Sequence, residues 1–106
     1  MRIAQLAPLA EAVPPLQYGG TELIVSLLTE GLVALGHEVT LFASADSRTE
    51  AKLVSVNSKS LRADESVPQR RWSAYSLRQI HELENRIGQF DIIHNHMGYE
   101  ALRFLS

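Results

Sequence analysis

The sequence predicts an α/β domain of three layers, with a mostly parallel sheet in the order 3-2-1-4 held between helices. Three observations lead there. The apolar runs at residues 2–9, 38–43 and 90–94 are nearly unbroken, as in strands buried on both faces, and lack the alternation of strands that face water on one side. Between the first two runs lies an amphipathic stretch closed by Gly36, and strand, helix, glycine, strand is the pattern of a parallel βαβ unit. A second helical stretch then precedes the last run, which extends the same alternation.

Composition narrows the class. With 106 residues the chain is one domain at most, and small for an α/β fold. A hydrophobic share of 45% and a charged share of 21% are those of a globular chain. The net charge of -2 gives no general attraction to nucleic acid or to an anionic membrane. The chain has no cysteine, which excludes disulfides and thiolate metal sites and agrees with a cytoplasmic location. No apolar run reaches the ~18–20 residues that span a bilayer, and Met1-Arg2-Ile3-Ala4-Gln5-Leu6-Ala7 lacks the apolar core of a signal peptide. Membrane association is therefore not expected.

In chain order, Arg2–Leu9 reads as the first strand, closed by Pro8. Ala10–Tyr18, with Pro14-Pro15 at its centre, reads as a loop, because the residue before each proline is pushed out of the helical region. Thr21–Leu35 is the clearest helix. Ile24, Leu27, Leu28, Gly31, Leu32 and Leu35 recur at helical spacing and are expected to pack on the sheet, with Thr29 and Glu30 toward solvent. Gly36 is expected to take the left-handed conformation past its end. Glu38–Ala43 is the second strand, Ser44–Lys52 a polar turn, and Leu53–Val56 a short third strand. Asn57–Arg71 is polar and the least structured part of the reading, and Arg70-Arg71-Trp72 at its end is expected on the surface. Ser73 or Ser76 is expected to cap a helix to Ile87, with Leu77, Ile80, Leu83, Glu84 and Ile87 on one face and Gly88 as its stop. Phe90–His94 is the fourth strand, Asn95–Gly98 a turn, and Glu100–Ser106 the start of a further helix. This order leaves the fourth strand at an open edge, so the chain reads as the opening piece of a larger protein, with that edge available for self-association.

The chemistry gathers at Tyr18-Gly19-Gly20-Thr21-Glu22. Two glycines stand where a helix begins, and a helix start offers unpaired N–H groups and partial positive charge to an anion. The loop is too long, and short of one glycine, for a dinucleotide fingerprint, and no Gly-Lys-Ser/Thr follows for a Walker loop. His94 and His96 lie two apart at the end of a strand, so they point the same way. A metal would need a third ligand, which His37 and His81 are not placed to supply, so no metal is expected. His94 is expected to be held at the sheet edge, and His96, last on the strand, to meet a ligand. Asp46, after the second strand, is either a ribose-type acid or a solvent-facing loop carboxylate. No carboxylate pair at a defined separation suggests glycoside hydrolysis.

Four stretches together resemble the N-terminal domain of the GT-B glycosyltransferases of family 4. They are Met1-Arg2-Ile3-Ala4 with Pro8, Tyr18-Gly19-Gly20-Thr21-Glu22, Leu35-Gly36-His37-Glu38-Val39-Thr40-Leu41-Phe42, and Phe90-Asp91-Ile92-Ile93-His94-Asn95-His96, in family order and at family spacing. The resemblance implies a Rossmann-like half-domain that faces a donor-binding domain across a cleft. It implies that Gly19, Gly20 and the amide of Thr21 reach the diphosphate of a nucleotide-sugar donor. His96 would be the catalytic-centre histidine near the donor sugar. Asp46 is a possible substrate contact from its place after the second strand alone. The resemblance further implies retention of anomeric configuration, no metal or other cofactor, and a sugar, lipid or small-molecule acceptor. The paired-glutamate donor motif of the second domain is absent from this sequence, so the chain alone is expected to be inactive. The alternatives are a stand-alone binding module that dimerises or partners a donor-domain chain, and an α/β nucleotide-binding protein of another kind.

Overall fold

The computed structural model describes residues 1–98, so the helix expected at Glu100–Ser106 lies outside the described residues. Four strands, β1 (Arg2–Leu6), β2 (Glu38–Phe42), β3 (Lys52–Val54) and β4 (Ile92–Asn95), form one sheet in the order β3-β2-β1-β4. All three pairings are parallel, and the expected order is the observed one. β1 is shorter than its apolar run. β3 begins at Lys52, one residue early, and β4 starts and ends later than expected.

Side-chain alternation along the strands splits the core in two. Ala7, Leu41 and Ala43 pack with Val13 of the first loop and with Val25 of helix α1 (Gly20–Ala34). Ala4, Leu6 and Phe42 pack on the other face, with Leu83 of helix α2 (Trp72–Glu84) and with Phe90, Ile93 and Met97. Phe42 and Phe90 meet edge to face at 5.9 Å and 72°. The two helices thus cover opposite faces. Among the described residues none is long and apolar enough to cross a membrane.

Helix α1 corrects the expectation most clearly. Its sheet-facing residues are Glu22, Val25, Ser26 and Thr29, and Thr29 is 0% exposed where solvent was expected. Ile24, Leu27, Leu28 and Leu35, expected on the sheet, are exposed, Leu27 by 67% and Leu35 by 76%. Short side chains at the contact let the helix lie close over β1 and β2, and the bulky stripe is one sector further round. Periodicity reports that a helix is two-faced, not which sector meets a given sheet. The end of the helix follows expectation. Gly36 has φ +91°, and His37 and Gly36 donate their N–H to Leu32 and Val33 at 3.1 and 2.9 Å, a Schellman closure.

Helix α2 starts and stops differently from its reading. A 3-10 turn at Gln69–Arg71 leads directly into it, so its N-cap is Arg71, and Ser73 and Ser76 lie inside. It ends at Glu84, before a 3-10 turn at Ile87–Gln89, which leaves Glu84 and Ile87 exposed. Buried Gln79 takes a place on its inner face and donates to the Ala7 carbonyl at 2.9 Å.

The segment from residue 57 to 71 is better anchored than its polarity suggests. Ser60 and Leu61 are buried, and Leu61 and Arg62 donate their N–H to the carbonyls of Leu9 and Ala10 at 2.9 and 3.1 Å. At the amino edge of the sheet, Arg2 and Asp91 join β1 to the approach of β4 by an ion pair of 3.0 Å. The side chain and backbone N–H of Arg2 hold Asp91 down to about 2.

These placements predict stability effects. Leu6→Ala empties a fully enclosed site and is expected to cost about 2–5 kcal/mol in chemical denaturation. Leu27→Gln on the exposed stripe is expected to stay within about 0.5 kcal/mol. A depressed carboxylate stabilises the fold above its unfolded pKa, and that contribution is lost as pH falls through the folded one. Asp91→Asn is therefore expected to lower stability at neutral pH and to flatten its fall between about pH 4 and pH 2, read by urea titrations across that range.

Candidate functional site at the carboxyl edge

The site forms where the parallel strands end. After Leu6 the chain crosses the sheet's carboxyl edge as a loop from Ala7 to Gly19, then enters α1. That loop is fixed along its length. The N–H of Val13 donates to Ser47 Oγ at 3.0 Å, and the Val13 carbonyl accepts from the N–H of Arg48 at 2.8 Å. Leu9, Ala12 and Val13 are buried beneath it.

The two glycines at its end have different physical reasons. Gly19 is the N-cap of α1 with φ +130°, a conformation that L side chains rarely adopt. A Cβ there would lie 2.8 Å from Glu22 Oε1 and 3.1 Å from Pro15 Cβ. The fold itself requires glycine at this position. Gly20 is the first helical residue, is exposed, and has nothing within 4 Å of a Cβ built on it. Among the described residues the N–H groups of Gly20 and Thr21 donate to no protein group, as the first amides of a helix must unless a cap or ligand takes them.

Glu22 closes the inner side of the helix start. It is 5% exposed, and burial raises its carboxyl above the usual carboxylate range. Glu11 adds to the rise, while Arg62 and the backbone N–H groups of Glu22 and Glu11 act against it. Glu11 is paired with the Arg62 guanidinium, which also lies 5.6 Å from the centre of the Trp72 ring. Glu11, Leu16, Tyr18, Asp46, Ser60 and Arg62 line an open recess of about 270 Å³. Asp46 has both oxygens engaged there, one accepting from Ser44 Oγ and the other from the Ser60 N–H at 2.9 Å. It ties β2 to the following segment.

On the other side of β1, the N–H of His96 donates to the Leu6 carbonyl at 2.9 Å. Its Nε2 lies 2.8 Å from Gln5 Oε1. The rings of His94 and His96 are in tilted contact, with centroids 4.0 Å apart and 44° between their planes. Burial, and then the charge of His94, hold the His96 imidazole below the ordinary histidine value, so it is neutral near pH 7. Among the described residues no three His, Cys, Asp or Glu side chains are arranged to hold a metal ion.

All the residues expected at the site therefore lie along the carboxyl edge, in three groups. Gly19, Gly20 and Thr21 begin α1, Asp46 lies in the recess on the β2 side, and His96 lies on the β4 side. Sequence reasoning missed Gln5, Glu11 and Arg62. Gln5 had a visible signal, a polar residue inside an apolar strand. The Glu11–Arg62 pair had none, since the partners are separated by most of the fold.

The sequence model of the family described as Glycosyltransferase Family 4 matches residues 18–105. No curated protein matches the chain.

The contrast between the glycines yields a prediction. Gly19→Ala is expected to cost about 1–3 kcal/mol, whereas Gly20→Ala is expected to leave stability within about 0.5 kcal/mol, both measured by thermal and urea unfolding.

Proposed function

Because the chain belongs to glycosyltransferase family 4, we propose that it forms one wall of a glycosyl-transfer site, in which the start of α1 holds the diphosphate of a nucleotide-sugar. Glycosyltransferase-type function is that of the family. The observation that carries the finer reading is Gly20. The fold leaves it free to be another residue, yet it keeps the space before two unpaired helix-start amides clear. Negative charge builds on the leaving diphosphate as the glycosidic bond breaks. Preorganised N–H donors at the positive end of a helix stabilise that charge without solvent reorganisation. The same positive end supports a reaction without a metal or other cofactor.

Neutral His96 faces the donor sugar in this reading and exchanges a hydrogen bond with one of its hydroxyls. The acceptor, a sugar, lipid or small molecule, enters on the side of the recess near Asp46. The pairing of Glu11 with Arg62 cancels two charges of that wall and leaves the Asp46 carboxylate, held by neutral donors, which suits a hydroxyl-bearing acceptor better than an anionic one. Retention of configuration follows from the family resemblance, and a cytoplasmic setting agrees with the absence of cysteine. These 106 residues carry no paired-glutamate donor motif, and in this reading they transfer no sugar by themselves.

Amide NMR of the chain titrated with UDP, GDP and ADP tests the reading. At least one is expected to shift the Gly20 and Thr21 resonances, and Gly20→Val to weaken that binding by about tenfold or more, near 1.4 kcal/mol. Unmoved amides at millimolar nucleotide would remove the diphosphate role. Radiolabelled sugar transfer by the chain alone is expected to be undetectable, and product would refute its inactivity.

A further inference from the structure

Gln5 stands in the middle of β1 between Leu41 of β2 and His94 of β4, wholly buried. An amide in such a place is costly unless it is hydrogen-bonded, and a β-branched apolar residue would fit the strand better. Its side chain makes one hydrogen bond among the described residues, to His96 Nε2 at 2.8 Å, and its amide nitrogen has no partner. Buried Gln79 differs, since it bonds to the Ala7 carbonyl and so supports the framework. The polar character of Gln5 is spent on one imidazole.

We infer that Gln5 is the positioning residue for His96: it commits Nε2 and leaves Nδ1 as the single nitrogen that His96 offers to a ligand. With the amide oxygen toward the ring, the neutral imidazole donates through Nε2–H, and Nδ1 carries the lone pair that accepts from a sugar hydroxyl. It is the amide oxygen that lies toward the ring, and in that orientation only the Nε2–H tautomer makes the bond. Two further contacts bear on where the ring lies, the tilted contact with His94 at 4.0 Å and the bond from the His96 N–H to Leu6. The backbone places the residue, His94 packs beside its ring, and Gln5 selects its tautomer. This inference rests on the ligand-facing role of His96 proposed above, but its signature belongs to the ligand-free protein.

Long-range ¹H–¹⁵N NMR of the histidine rings in the 106-residue chain reads that signature directly. One tautomer of His96 is expected to exceed the other by about tenfold or more, as a difference of one good hydrogen bond of ~1.4 kcal/mol requires. In Gln5→Leu, which keeps the volume, both tautomers are expected. In Gln5→Glu a carboxylate faces Nε2, and the titration midpoint of His96 is expected to rise by about one pH unit or more. If Gln5→Leu fails to fold, Gln5→Glu carries the test. A mixed population in the wild type, an unchanged single tautomer in Gln5→Leu, or an unmoved midpoint in Gln5→Glu would overturn the assignment. The nucleotide titration at Gly20 and Thr21 is read at other atoms. A locked tautomer without nucleotide binding would therefore refute the functional reading and leave the role of Gln5 intact.

Discussion

The pairing of β1 on both of its edges is the constraint on which the rest of the molecule depends. β2 occupies one edge and β4 the other, so the strand closest to the amino terminus is the most central in space. Its buried position explains its nearly unbroken apolar run, since Ile3 to Leu6 are buried. The same pairing continues just past the strand. Ala7 donates its N–H to the Phe42 carbonyl, and His96 donates its N–H to Leu6. The end of β1 therefore sets both the departure of the glycine loop and the position of the histidine. Two parts of the site far apart in sequence have one mechanical origin.

Around that origin the chain separates residues that the fold needs from residues that it tolerates. Val25, Ser26 and Thr29 let α1 approach the sheet, and Gly19 turns the chain into the helix. Gly20, Gln5 and His96 meet no such need. Gln5 replaces apolar packing by a single bond, and Gly20 fronts empty space. Residues that break a local rule without structural return are the ones on which the proposed site is built. The neutral pairing of Glu11 with Arg62 belongs to the same economy, because it brings two charges to the rim of the recess without leaving a net field there.

Much of this was legible in the sequence, and the parts that were not share a cause. Strand order, the Gly36 closure and the helix start, expected at Thr21 and found one residue earlier at Gly20, follow from patterns a few residues long, which local physics decides. The orientation of α1 does not. Thr29 reads as polar and Leu27 as apolar, yet the sheet takes the first and leaves the second in water, because a close helix–sheet contact favours small side chains over greasy ones. The anchoring of Leu61 beneath Leu9 was hidden for a similar reason. Its partners are backbone groups across the fold, and no run of letters encodes them. For the site, the glycines and His96 were visible as motif letters, whereas the Gln5 contact needed the register of β1 against β4.

Gly19 and Gly20 look alike as letters, but the genetic code treats their surroundings differently. Every single-base change that alters a glycine codon's amino acid introduces a side chain. At position 19 each such side chain meets a backbone with φ +130° and the oxygen of Glu22, so inheritance has no harmless step away from it. At position 20 the same changes meet open space, and only an occupied site would select against them. Adjacent codons thus face different constraints, one imposed by folding itself and the other only by the proposed ligand.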